Sequence, residues 1–330
     1  MTFGDVPLAE AVGGILAHSL RLTSGVLKKG TVLDAGHIAA LSDAGHATVV
    51  VARLDPDDMD EDAAALRIGT ALLGDHLRLG AAVTGRVNVI AEQAGILQVA
   101  ADQVDALNRI DEALTLATLP DLMRVAADQL VGTVKIIPYG VPAPVVEAGV
   151  TSLEGTPLAL HPFVGGTARL VMTRTPGFKE SLLAKGEEIV RERLDAIGYA
   201  LQDVVTVPHE TQAVADTLKP DVDLTLILGA SATSDRNDVA TAAVVAAGGR
   251  IDRFGMPVDP GNLLFLGDLA GAPVVGLPGC ARSPALNGVD WVLERLSARL
   301  PVTSADVGAM GVGGLLKEMP GRPQPRRPKS

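Results

Sequence analysis

The sequence is poor in the residues that most often announce a function. One cysteine, Cys280, stands among 330 residues, which excludes an intrachain disulfide and any Cys-x-x-Cys zinc site and fits a reducing compartment. Aromatic residues make up 2% of the chain, so stacking platforms for nucleic-acid bases are not expected. Positive charge is scarce too: 28 Lys and Arg against 39 Asp and Glu leave a formal net charge of -11, which repels polyphosphate backbones and argues against DNA or RNA as a partner. The opening MTFGDVPLAEAV has neither a basic n-region nor an apolar h-region. No apolar run reaches about 18 residues, so neither export nor membrane spanning is expected and the cytoplasm is the expected compartment. GxSxG and HExxH are missing, GVGGLLK (311 to 317) lacks Walker A spacing, and no strand-linked GxGxxG precedes a helix. These absences remove the corresponding hydrolase, P-loop and classical dinucleotide readings.

What remains is small and aliphatic. With 47% hydrophobic residues and so few aromatics, the cores must be built from Ala, Val, Leu and Ile, as in parallel α/β sheets covered on both faces. The length allows two domains. Residues 1–155 read as a mixed α+β N-terminal domain, a candidate for oligomerisation. Within it, 34 to 54 reads as a short helix, a stop at Gly45 and a strand from Thr48 to Ala52. The acidic run DPDDMDED (55 to 62) reads as a solvated loop and helix start, Thr133 to Pro138 as a strand, and VPAPVVEAGVTSLEGTP as a Pro- and Gly-rich connection.

From Thr167 the pattern is regular. Strands are expected at 168–173, 203–207, 223–229 and 273–278, alternating with helices at 186–199, 210–218, 238–249 and 283–300, and another apolar strand follows residue 262. Such alternation predicts a doubly wound, mostly parallel, three-layer α/β domain over 156–305, whose ligands sit beyond the carboxyl ends of the strands. The basic, proline-rich 306–330 segment reads as a disordered tail.

Three loops carry candidate chemistry. LGASATSDRNDV (228 to 239) ends a strand at Gly229 and starts a helix near Asp238. Its small residues let backbone N–H groups approach an anion, while Asp235 and Asp238 either hold Mg²⁺ against that anion or simply cap and solvate the loop. GLPGCARSPALNG (276 to 288) follows another strand: Arg282 suits a phosphate, Ser283 reads as an N-cap, and Pro284 as the first helical residue. Cys280 has no base nearby in sequence, since the six histidines all lie far from it. In GMPVDPGNLLFLGDL (255 to 269), Pro257, Pro260 and Gly261 fix a turn, and Asp259 and Asn262 either contact a ligand or satisfy the turn.

In this order the three loops resemble the pattern of the molybdopterin-binding domain of molybdenum cofactor biosynthesis proteins: strand-GGxS-small-D-x-D, a G-M-x-V-x-P-G-N/K turn, then strand-GLPGNPxS-helix. The resemblance covers residues 167–300, where the loops read GASATSDRND, GMPVDPGN and GLPGCARSP. LKKGTVLDAGHIAALSDAGHATVVVARL (27 to 54) is similar to a segment of molybdopterin molybdotransferases. The whole chain looks like the molybdopterin-binding proteins, stand-alone or fused, that accompany a cytidylyltransferase-like partner. It departs from the family where Ala230 stands for the second glycine of GGTG, Cys280 for the usual asparagine and Arg282 for the usual valine.

The resemblance implies a pterin phosphate site in which Gly229, Ser231, Thr233, Ser234 and Arg236 face Pro278, Gly279, Cys280, Arg282 and Ser283, with Asp259, Pro260, Gly261 and Asn262 alongside. Asp235 and Asp238 would be the catalytic and Mg²⁺-binding groups. The implied ligand is molybdopterin, with Mg²⁺ and either ATP or molybdate. Three activities follow: an adenylyl- or molybdotransferase, a non-catalytic module that presents the cofactor to a nucleotidyltransferase or a molybdoenzyme, or a dinucleotide hydrolase on the same domain. A homodimer is the expected assembly.

Overall fold

In the computed structural model, which describes residues 1–23 and 25–316, Leu170 and Val171 follow one another in a strand yet belong to different cores. Side chains alternate across a strand, so a strand apolar at successive positions must be covered on both faces. The chain divides into two compact units, Met1–His161 and Pro162–Ser330.

The second unit is built on a six-stranded sheet in the spatial order Tyr199–Pro208, Gly166–Arg174, Leu224–Leu228, Ala272–Leu277, Phe265–Leu269, Arg250–Phe254. On one face Leu170, Leu226 and Val275 pack with Val190 and Leu194 of the Glu180–Asp195 helix and Val289 and Leu293 of the Gly288–Ser297 helix. On the other, Val171, Ile227 and Val274 pack with Val214 of the Thr211–Ala215 helix and Ala240 and Val244 of the Val239–Ala246 helix. Helices on two faces are what the alternation predicts.

The sheet is mixed. Its first four strands are parallel, while Phe265–Leu269 and Arg250–Phe254 are antiparallel to their neighbours. The reversal is local chemistry: Leu269 pairs with Ala272 across Ala270 and Gly271, which have φ of 54° and 91°. Two successive positive φ values are the signature of a two-residue hairpin turn, and that turn makes the last two strands of the pattern antiparallel neighbours.

Two local expectations are corrected. The closing helix starts at Gly288, not at Ser283: residues Gly279–Arg282 wind into a short 3-10 turn, and Asn287 caps the helix in a reciprocal box with Asp290. The segment after 305 is folded as far as it is described. Ser304–Gly308 is helical, and Val307, Met310 and Leu316 join the core on the Leu170 face. Asp259 N–H donates to the Gly314 carbonyl at 2.8 Å and Leu316 N–H to the Asp259 carbonyl at 3.0 Å. Residues 317–330 of the expected tail lie outside the described residues.

The first unit holds two aliphatic cores. Leu16, Leu33, Leu41 and Val51 form one, where Thr2–Pro7 pairs antiparallel with Thr48–Arg53 beside the Ala35–Asp43 helix, capped by Asp34. In the other, Ala65, Ile68 and Leu72 of the Glu61–Leu72 helix pack on Val87 and Val134. Asp60 caps that helix, so the acidic run is a helix start as the sequence suggests. The expected Pro-rich connection is instead largely the Ala143–Thr151 helix, which tolerates Pro144 because it lies in the first turn. Among the described residues no helix is long and apolar enough to cross a membrane.

One glycine is fixed by packing. A Cβ on Gly276 would lie 2.0 Å from the Phe265 ring, its direct cross-strand neighbour. Gly276→Ala therefore overpacks the core, and we expect a loss of about 1–3 kcal/mol, read as a lower urea midpoint. Unchanged stability would remove this account of the glycine.

Candidate functional site

The four parallel strands end on one edge of the sheet, and their last residues are tied together there. Thr173, fully buried near the end of its strand, accepts at Oγ1 from the Ala230 N–H at 2.7 Å. The same oxygen lies 2.8 Å from His209 Nδ1. His209 follows the Tyr199–Pro208 strand, so one threonine links three strand ends. The next link is Arg282. Its Nη2 donates to the Gly229 carbonyl at 2.7 Å, joining the loops after Leu228 and Leu277.

Around that tie the 229–238 loop bends sharply. A Cβ at Gly229 would meet the Ser231 carbonyl at 2.8 Å, which restricts the position to glycine. Among the described residues, the N–H groups of Ser231, Ala232 and Thr233 have no hydrogen-bond partner. Asp238 caps the Val239–Ala246 helix: Oδ1 accepts from Val239 N–H at 2.8 Å and Oδ2 from Ser234 N–H at 3.0 Å. These bonds, the one from Ser234 foremost, hold its carboxyl below the ordinary Asp value. Asp235 turns inward on its own loop, accepting from Asn237 N–H at 2.8 Å and Asn237 Nδ2 at 3.0 Å. Arg236 points elsewhere, donating to the Ile251 carbonyl at 3.2 Å.

Across the edge, Arg282 is half-buried. Its guanidinium lies 5.9 Å from the Phe178 ring centre, within cation–π range. Nε is buried with no partner, and burial pulls the side chain below the usual arginine value. Arg193 holds the same loop from the Glu180–Asp195 helix, donating through Nη2 to the Ser283 carbonyl at 2.6 Å and the Ala285 carbonyl at 3.0 Å, and pairing with Asp290 through Nη1. Cys280 is exposed. Its sulfur accepts from Asn287 Nδ2 at 3.1 Å, an amide rather than an activating base.

The PVDPGN turn reaches this loop from the other side. Gly288 N–H donates to the Pro260 carbonyl at 2.8 Å, and a Cβ at Gly261 would lie 2.9 Å from Gly288 N. Asn262 satisfies its own turn, with Nδ2 donating to the Met256 carbonyl at 3.3 Å. The GLPGCARSPALNG stretch (276 to 288) is thus the hub, bonded to both other loops. Sequence reasoning found the three loops but missed Thr173, Phe178, Arg193, His209 and Asn287. Thr173 and His209 had a usable signal, since each stands at the carboxyl end of an expected strand.

Open backbone N–H groups in a loop tied to a half-buried guanidinium are chemistry that suits an anion. Each Asp238 oxygen accepts from one backbone donor, and no group of three or more His, Cys, Asp or Glu suited to a metal occurs among the described residues.

Fold and edge together define a mixed-sheet α/β protein whose parallel strands end in interconnected loops. Residues 5–53 match a family described as Domain of unknown function (DUF8806). No curated protein matches the chain. Among solved structures it is similar to the molybdopterin biosynthesis MoeA protein from Pyrococcus horikosii, at 11% identity and TM-score 0.31 over 93% of this chain and 77% of that one. A molybdenum cofactor biosynthesis protein from Pyrococcus furiosus gives 13% and 0.23 over 91% and 64%. A molybdopterin biosynthesis protein from Mycobacterium abscessus gives 14% and 0.28 over 41% and 92%.

Asp238→Ala removes both bonds of the cap and should cost about 0.5–2 kcal/mol. Because its folded pKa is depressed, the part that depends on its charge is fully present above the unfolded value and lost as pH falls through the folded one. The gap between wild type and variant, measured by urea unfolding, should narrow below about pH 4. A gap independent of pH would refute the charged cap.

Proposed function

We propose that this protein binds molybdopterin and acts in molybdenum cofactor biosynthesis, with the pterin phosphate held at the carboxyl edge of the six-stranded sheet. The observation that carries this reading is Arg282. Its guanidinium is held half-buried by the Gly229 carbonyl near Phe178, in the loop tied to the one whose Ser231, Ala232 and Thr233 N–H groups are open. A phosphate monoester would accept from the loop amides while the guanidinium matches its charge locally in a chain of net charge -11. The order of the three loop motifs and their convergence on the GLPGCARSPALNG stretch support the choice of a pterin phosphate over other phosphates. The same features favour the molybdopterin-binding type of doubly wound domain.

Binding and presentation of the cofactor is the favoured activity. Asp238 braces its loop and helix through both oxygens, and Asp235 is assigned to shaping the loop. The chain's own contribution is to desolvate and orient the phosphate through Arg282, with Thr173 and His209 bracing the strand ends. A cytidylyltransferase-like protein or an apo-molybdoenzyme is the class of partner that would take the bound cofactor. Adenylyl- or molybdotransfer is the second reading, resting on the motif resemblance alone, and the cytoplasmic, homodimeric state remains part of the proposal.

Titration of purified protein with molybdopterin tests it. Arg282→Ala should weaken binding by about 1.5–3 kcal/mol, the range for a hydrogen bond to a charged group, while Cys280→Ser should bind like wild type. Tight binding without adenylylated product, after incubation with ATP and Mg²⁺, supports the presenting module. Turnover abolished in Asp235→Ala would install the transferase instead, and failure of wild type to bind the pterin ends the proposal.

A further inference from the structure

The unit Met1–His161 has a polar cavity that the pterin reading does not use. It encloses about 310 Å³ and brings Lys29, Arg86 and Lys135 together with Glu61, Ile137 and Tyr139. Three cations line it with one carboxylate, Glu61, while Asp62 accepts from the Gly85 N–H of the adjoining turn at 2.6 Å. Lys135 is committed: its Nζ donates to the Thr84 carbonyl at 2.7 Å and lies 3.7 Å from Glu61. The side chains of Lys29 and Arg86 make no hydrogen bond or ion pair among the described residues, whereas Arg67, Arg78 and Arg193 all pair with carboxylates.

The backbone is shaped to keep this place open. Gly85 sits at the tip of the 83–86 turn with φ of 70°, and a Cβ there would lie 2.7 Å from Glu61 Oε2 and 2.9 Å from Lys135 Nζ. Only glycine lets the turn come down on the charged pair, which places Thr84 and Arg86 on either side of it in the cavity lining. On the opposite rim, Gly30 with φ of 81° turns the chain directly after Lys29. The basic-Gly stretch of the sequence thus supplies one wall.

We propose that this cavity is a second binding site, for a small phosphomonoester. The phosphate meets Lys29 and Arg86, with Lys135 shared between it and Glu61, and the exposed side chain of Ile137 beside the Tyr139 ring receives the apolar part of the ester. A compact dianion fits this charge set better than an extended polyanion, which the net charge of -11 repels. Glu61 sets an upper limit on affinity, because its carboxylate competes with the ligand for Lys135.

Amide NMR titration of the full chain with phenyl phosphate, and separately with orthophosphate, reads this site apart from the one at Arg282. Saturable shifts are expected at Gly30, Gly85 and Lys135, with phenyl phosphate the tighter of the two. The double variant Lys29→Ala/Arg86→Ala should weaken binding at these amides by about tenfold or more, without changing the response of residues 229–238. Glu61→Gln, which removes a like charge and keeps the shape, should tighten it. Absence of saturable shifts in wild type, unchanged affinity in the double variant, weaker binding in Glu61→Gln, or equal affinity for orthophosphate would each overturn the assignment.

Discussion

The bond from Arg282 to the Gly229 carbonyl, made from a half-buried position near Phe178, fixes the spacing between two strand ends. Without it the loop after Leu228 and the loop after Leu277 would each be free to find water, because both are largely exposed. A buried guanidinium is costly to desolvate, so it persists where the surroundings leave it no better place. Here Arg193 supplies that constraint by gripping the Ser283 and Ala285 carbonyls, and Asn287 closes the start of the next helix. The site is therefore an arrangement of backbone, held by two arginines, with few side chains of its own.

Such a design suits the composition. Ala, Val and Leu fill both sides of the sheet, and almost no aromatic bulk is available to build a deep pocket from side chains. Phe178 and Phe265 are exceptions with defined places: one lies near Arg282, the other packs across a glycine. The single tryptophan, Trp291, belongs to the closing helix, packs partly buried against the core and takes no part in the site.

Much of this was legible in the residues. Strand-ending glycines followed by small residues and a helix marked the 229–238 and 278–288 loops, because the geometry they need is encoded within a few adjacent positions. The helix start at Gly288 was missed for a physical reason. Ser283-Pro284 is the ordinary signal for a cap and first turn, but the chain after Gly279 winds into a 3-10 turn, and the stronger Asn287–Asp290 box lies just beyond. The Arg250–Phe254 strand escaped because it lies at a sheet edge, where alternating charge is tolerated and no continuous apolar run is required. Thr173 and His209 meet across 36 positions, a pairing that only the parallel register creates. Whether Asp238 caps or binds a cation was open in the sequence, and its two backbone donors favour the cap.

The strap formed by residues 314–316 along Asp259 has a mechanical consequence. Tension applied to the chain beyond Leu316 is borne first by the two backbone bonds to Asp259. From there it passes through the Pro260 carbonyl to Gly288, and so to the root of the helix that backs the Arg282 loop. A load applied at Leu316 is delivered to the carboxyl edge of the parallel strands, along a path of main-chain bonds.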